Sequence, residues 1–213
     1  MAPRNKYTRE QMTAAAVKIV REKGTAGLTA RAIAKELGVS TQPVFTCFSS
    51  MAEAKKEVRT AAQDLYDEYV TEGLKEKIPF FGFGMAYVHF AKDEPEFYKL
   101  LFLNCEKNET IEAMEHSTEL VRSSLMRIYR IDAAAADRYF RDMWLVIHSV
   151  ATLCVTCGSP YSEEEIAKIM TGFSVSLCRS IKEIHGFVEG EYDYYEIFKT
   201  LVTKGKYSDE EVK

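Results

Sequence analysis

Apolar residues recur at helical spacing along most of this chain. After residue 50 no segment alternates with the period of two that a half-buried strand requires. Met12, Ala15, Ala16, Ile19 and Val20 fall on one face of a helix that Gly24 closes. Ala30, Ile33, Ala34 and Leu37 form a second stripe, with Arg31, Lys35 and Glu36 off it. Thr29 stands where its hydroxyl can accept from a free N–H of that helix's first turn. Gly38 follows Leu37, where a left-handed residue ends a helix at little cost. The spacing then predicts a third, short helix capped by Ser40. Pro43 falls in its first turn, where N–H groups have no intrahelical partner. Val39 packs into the angle between the two short helices, and Val44 and Phe48 form the inner face of the second. Thr41, Gln42, Phe45 and Thr46 are left facing outward. Ser49 or Ser50 caps a long helix from near Met51, with Val58, Ala62, Leu65 and Tyr69 as its stripe.

Further helices are predicted over 51–76, 81–93, 95–103, 108–130, 133–157, 162–185 and 193–203. Breaks fall at Ile78-Pro79, Glu94-Pro95, Arg130-Asp132, Gly158-Pro160 and Gly186-Gly190. No internal repeat or low-complexity segment is apparent. The expected fold is all-α: a three-helix head over residues 1–50 and a larger helical body over 51–213. Tyr192, Tyr194, Tyr195 and Phe198 are expected in a final helix packed on that body.

Leu28 to Phe48 has the layout of a helix-turn-helix, which places its second helix in a DNA major groove. Gln pairs with adenine edges, and Thr contacts bases or a thymine methyl. Phe45 is large for an exposed site and suits packing against sugar and phosphate. The competing reading is a plain helical hairpin with a polar outer face. Charge bears on the choice. The chain carries a net −4, unpromising for a nucleic-acid partner, but unevenly distributed. Residues 1–60 hold 11 Lys+Arg against 5 Asp+Glu; the remainder holds 17 against 27. A basic end coincident with the motif fits a DNA-binding head on a body that avoids phosphate. Arg4, Lys6 and Arg9 form a basic arm within reach of phosphates.

Residues from about 8 to 60 resemble the N-terminal domain of TetR/AcrR-family transcriptional regulators. The resemblance rests on AVKIVREKG closing the first helix, Leu28-Thr29, Ile33-Ala34, Gly38-Val39-Ser40, and the aromatic pair Phe45 and Phe48. It implies an all-helical homodimer that binds a palindromic double-stranded operator and usually represses. The recognition helix is then Thr41 to Cys47. The implied DNA site comprises Thr29, Arg31, Ser40, Thr41, Gln42, Pro43, Phe45, Thr46 and Lys55. Gln42, Thr41 and Thr46 would read bases; Thr29, Ser40, Phe45 and Lys55 would hold the backbone. Two positions depart from the family pattern. Gln42 stands where Gly is frequent, and Met51 where a phosphate-contacting Lys is common. Lys55 or Lys56, one turn later, is the substitute.

The body resembles one class of that family. YVHFAKDEPEFYKLLF (Tyr87–Phe102) looks like its aromatic fifth and sixth helices. Trp144 and His148 match part of a Trp-x-x-x-His-Gly signature, with Ser149 in place of Gly. The resemblance implies a cavity for a small apolar or aromatic effector, lined by Tyr69, Tyr87, Phe90, Tyr98, Phe102, Met143, Trp144 and His148. It places a dimer interface on 133–157 and 162–185, with Leu153, Ile166, Ile169, Met170, Phe173 and Leu177 as candidates. Some of those belong to the protomer's own core.

Other chemistries find little footing. There is no run of about 18 apolar residues and no signal-peptide pattern, so no membrane partner and a cytoplasmic location are expected. The five cysteines are odd in number, and Cys154 and Cys157 lack the second pair that a zinc site would need. A thiol sensor at Cys105 or Cys154 has no supporting pattern. His89, His116, His148 and His185 are scattered; no glycine-rich phosphate loop or nucleophile elbow is present. Glu163, Glu164 and Glu165 suit a helix start rather than acid–base work. No metal, cofactor or catalytic role is expected. The sequence therefore reads as a ligand-responsive repressor. A non-DNA interaction protein, suggested by Met51, and a helical small-molecule enzyme are the alternatives.

Overall fold

The computed structural model describes residues 7–104 and 109–203, and these contain helices and turns without a strand. Arg4, Lys6 and Cys105 lie outside the described residues. The head holds α1 (Arg9–Lys23), a 3-10 turn (Thr25–Gly27), α2 (Ala30–Leu37) and α3 (Gln42–Cys47). The body follows as α4 (Met51–Gly73), α5 (Pro79–Asp93), α6 (Pro95–Tyr98) with a π-helical turn (Lys99–Leu103), α7 (Glu109–Tyr129), α8 (Ala133–Cys157), α9 (Glu163–Glu183) and α10 (Tyr194–Thr203).

Local chemistry explains most boundaries. Thr8 and Gln11 form a capping box at α1, and Ser162 and Glu165 form another at α9. Thr29 accepts from the Ala32 N–H and Ser50 from the Glu53 N–H. Gly38 ends α2 at φ 66°, ψ 36°, the left-handed conformation expected of it. Pro79 and Pro95 occupy first turns, so α5 begins two residues earlier than the apolar periodicity predicts. One expected cap is corrected. Thr41, not Ser40, is the residue flanking α3, its backbone is already helical, and no side chain caps that helix.

The core is aromatic and runs through the middle of the body. On α4 the fully buried positions are Ala54, Val58, Ala62, Tyr66 and Val70. Leu65 and Tyr69 flank that stripe half-buried rather than forming it. The α4–α5 contact is the most extensive in the molecule. It is made possible by Gly73 facing Gly82, each leaving no room for a Cβ beside the other's carbonyl. Among the described residues, α8 alone is long and apolar enough to cross a membrane, at a mean hydropathy of 1.2. Here Tyr139, Phe140, Met143, Trp144, Ile147, Val150 and Ala151 of α8 pack against α5, α7 and α9.

The head joins the body through α1. Arg21 donates to Glu94 at 2.8 Å and lies over the Phe97 ring at 5.1 Å. Gly24, at φ 68°, lets the end of α1 meet Glu96. At the opposite end of the chain the expectation fails. Among the described residues α10 makes no extended contact with any helix, and Tyr194, Tyr195 and Phe198 are 74%, 69% and 63% exposed. The 184–193 turn is fastened instead. Phe187 stacks on Tyr192, and Arg138 lies over Phe187 at 4.4 Å.

Candidate nucleic-acid interface

The rigidity of α3 comes from groups around it, because a six-residue helix is marginal alone. Val44 and Phe48 are completely buried and pin its inner face. Tyr7 donates its hydroxyl to the Leu37 carbonyl at 2.9 Å, tying the chain before α1 to the end of α2. Arg9 donates to the Cys47 carbonyl at 3.0 Å, to Glu53 at 2.6 Å and to Glu57 at 2.7 Å, with its guanidinium 5.4 Å from the Phe48 ring centre. Glu53 also accepts from the Ser49 N–H and hydroxyl, both at 2.7 Å. These donors hold its carboxylate down to about 2, Arg9 contributing most. The base of α3 and the start of α4 are thus one hydrogen-bonded corner.

That corner changes the expected role of Arg9. Its guanidinium is engaged by two carboxylates and a carbonyl, so it positions α3 instead of reaching phosphate. The spacing of Glu53 and Glu57 was visible as a single helix face, but its approach to Arg9 depends on how α1 crosses α4. Tyr7 likewise carried no signal in the sequence pattern.

Of the four side chains expected to face outward, three do and Thr41 does so only in part. Gln42 and Thr46 are exposed, Thr41 and Pro43 half-buried, and Phe45 is 55% exposed. Thr46 donates its hydroxyl to the Gln42 carbonyl at 3.1 Å, which leaves its methyl group and acceptor lone pairs for a partner. Thr29, Ser40 and Arg31 are exposed beside it at the start of α2 and in the turn. Lys18 is held by Glu36 at 2.5 Å, whereas Arg31, Lys35, Lys55 and Lys56 form no ion pair with a described residue. Met51, an uncharged thioether, is half-buried against the core, and Lys55 stands exposed one turn later.

In the body, most of the expected pocket residues do converge, as a closely packed cluster. Trp144 and His148 stack with ring centres 4.6 Å apart and 9° between planes. The His148 Nδ1 lies 3.0 Å from the Tyr87 hydroxyl and 3.1 Å from that of Tyr98. Tyr98 also meets the Thr152 hydroxyl at 2.9 Å. Phe102 contacts Tyr87, Tyr98 and His148, and Phe90 joins through Tyr66. Met143 is buried on the same helix as Trp144. Burial disfavours charge throughout: the His148 pKa is lowered, that of Tyr98 is pushed up to about 12, and that of Tyr87 is raised well above its ordinary value. The indole N–H of Trp144 is buried without a hydrogen-bond partner among the described residues. Tyr69 stands at the edge, donating to Asp93 at 3.2 Å and facing an open hollow of about 630 Å³ between α4 and α5. Tyr66 and Ser117, joined at 2.9 Å, are core polar groups that the sequence reading missed.

The expected interface residues divide. Ile166 and Met170 are buried inside the protomer, where Met170 packs over Gly84 of α5, so they are core residues and not surface. Ile169 and Leu177 are half-buried against the same core. Leu153 and Phe173 are exposed, at 36% and 54%, and Leu145 and Val175 join them at 53% each. Cys154 is buried and Cys157 exposed, and no metal-binding group of His, Cys, Asp or Glu occurs among the described residues.

Residues 13–53 match the family of bacterial regulatory proteins designated tetR. No curated relative matches the chain. Two solved structures share its fold. One is a member of the TetR family from Streptomyces coelicolor A3, 18% identical, with a TM-score of 0.55 over 80% of this chain and 98% of that one. The other is a tetR-family transcriptional regulator from Streptomyces coelicolor, 12% identical, with a TM-score of 0.64 over 92% of this chain and 96% of that one.

Proposed function

Because this chain belongs to the TetR family of DNA-binding transcriptional regulators, we propose that it is a cytoplasmic repressor, not an enzyme, that a small molecule releases from its operator. The head, residues 1–50, binds DNA; the body, residues 51–213, pairs two copies and takes the effector. The observation that carries the reading is the exposed polar face of α3, held on a rigid corner and bordered by cations with no partner among the described residues. Gln42, Thr41 and Thr46 meet base edges. Thr29, Arg31, Ser40, Pro43, Phe45 and Lys55 lie along the backbone on either side. Two subunits set their α3 helices in successive major grooves, about 34–36 Å apart.

Pairing through α8 and α9 is supported by the surface of α9. Only Ile166 and Met170 of its 21 residues are buried, while Phe173 and Val175 stand in solvent, as do Leu145 and Leu153 of α8. A twofold axis there would cover both apolar faces at once. The effector is an apolar or aromatic molecule accommodated around Tyr87, Phe90, Tyr98, Phe102, Met143, Trp144 and His148, with Tyr69 at the rim. Such a guest must part these packed rings. It acts on the head only insofar as it favours one body conformation over another. The path from that cluster is short. Tyr98 belongs to α6, and Phe97 of α6 touches Arg21 of α1.

A mobility-shift titration against the DNA upstream of the protein's own gene tests the function. The expected result is a shift whose affinity falls steeply with salt, because phosphate contacts release counterions. Absence of any salt-sensitive shift would leave an interaction protein on this fold.

A further inference from the structure

We propose that α10 is an exchanged arm, docking its aromatic face on the second copy of this chain and locking the dimer. The proposal rests on the homodimeric reading above and adds a second, separate contact to it. Its basis is the contrast between a fixed turn and an unsupported helix. The 184–193 turn is held firmly: the Glu191 N–H donates to the Gly186 carbonyl at 2.9 Å, and Arg138 of α8 donates to the Val188 carbonyl at 3.3 Å while covering Phe187. The direction in which α10 leaves is therefore set by the protomer itself. Among the described residues it makes no extended contact with another helix of its own protomer, and three large aromatics are left in solvent.

An isolated ten-residue helix is not stable in water, so α10 needs a surface to form against. The occupant is a second copy on two grounds. First, α9 runs into the same fixed turn from which α10 departs and itself leaves Phe173 exposed, so a twofold axis beside α9 brings the partner within reach of α10. Second, the areas match. Tyr and Phe side chains bury roughly 150–250 Å² each. At the observed exposures Tyr194, Tyr195 and Phe198 leave roughly 300–500 Å² per protomer. Two reciprocal arms supply about half of the roughly 1,200–2,000 Å² of a standard interface. The remainder falls to the exposed Leu145, Leu153 and Phe173 side chains of α8 and α9 and their surroundings.

The test uses the full-length protein and three variants: a truncation after Asp193, which keeps the fastened turn and removes α10, Phe198→Asp, and Phe173→Asp on α9. Sedimentation equilibrium is read for each, with circular dichroism to check folding. The truncation and Phe198→Asp are expected to raise the dimer dissociation constant at least about tenfold, with helicity otherwise kept. A photo-crosslinking phenylalanine analogue at Tyr195 should yield a species of twice the protomer mass. An unchanged dimer in both α10 variants, or crosslinks confined to one protomer, overturns the arm. If only Phe173→Asp gives monomers, pairing through α8 and α9 stands without it. If the unaltered chain is itself monomeric, both readings fall.

Discussion

Replacing Gly82 by alanine should be among the most damaging single-methyl additions available in this protein. The same change at Gly38 supplies the comparison. At Gly38 a Cβ meets nothing within 4 Å, but the backbone sits at φ 66°. The cost there is conformational alone. It comes to about 1 kcal/mol, the left-handed penalty for an L-residue less the entropy that alanine removes from the unfolded chain. At Gly82 the backbone is ordinary helix, so alanine gains up to about 1 kcal/mol in propensity. Space decides against it. A Cβ there overlaps the Gly73 carbonyl oxygen and falls 2.8 Å from both the Gly73 carbonyl carbon and the Glu76 Cβ. Neither backbone atom can swing away, so α4 and α5 must separate. A gap of even 0.5–1 Å forfeits about a quarter to a half of each dispersion contact along the interface. Over the largest helix pair in the molecule, the net loss should reach about 3 kcal/mol, at the upper end of measured overpacking costs. For a 213-residue chain that lowers Tm by about 6–12 °C. Urea denaturation followed by circular dichroism, at one fixed protein concentration because dimers shift with dilution, reads it directly. A Gly82→Ala midpoint no lower than that of Gly38→Ala would refute the claim that the glycine pair sets the α4–α5 approach.

Three further outcomes follow from the site. Gln42→Ala should relax discrimination at one operator base pair by about 1–3 kcal/mol while leaving thermal stability unchanged, read by fluorescence anisotropy on single-base operator variants. Lys55→Ala should weaken binding to all DNA sequences alike and reduce the slope of log K against log salt by about one; an unaltered slope would remove Lys55 from the phosphate contacts. Burial lowers the His148 pKa below 6.5, so the folded chain binds fewer protons there than the unfolded one. Stability should therefore decline as pH falls through 6.5 and level off below the depressed value, and His148→Gln should flatten that part of a Tm–pH profile.

The local devices of this fold were written plainly along the chain. The stripes of α1 and α2, the Thr29 cap, the left-handed Gly38 and the limits of α8 all follow from residues within a turn or two of one another. The outward set Gln42, Phe45 and Thr46 was legible for the same reason. Capping, periodicity and backbone conformation are short-range effects, and short-range effects are encoded where they act. Other features depended on which helices cross. Arg9 became a brace for α3 because α1 lies across Glu53 and Glu57. Ile166 and Met170 turned inward because Gly84 opens a slot for Met170 on α5. Tyr66 displaced Leu65 and Tyr69 from the centre of the α4 stripe because the aromatic rings of α5 approach from its side. The terminal aromatics Tyr194, Tyr195 and Phe198, apolar by pattern and expected to be covered, are exposed because α10, after a fastened turn, makes no extended contact with another described helix. Hydrophobicity states that a face should be buried; only the paths of distant segments decide against what.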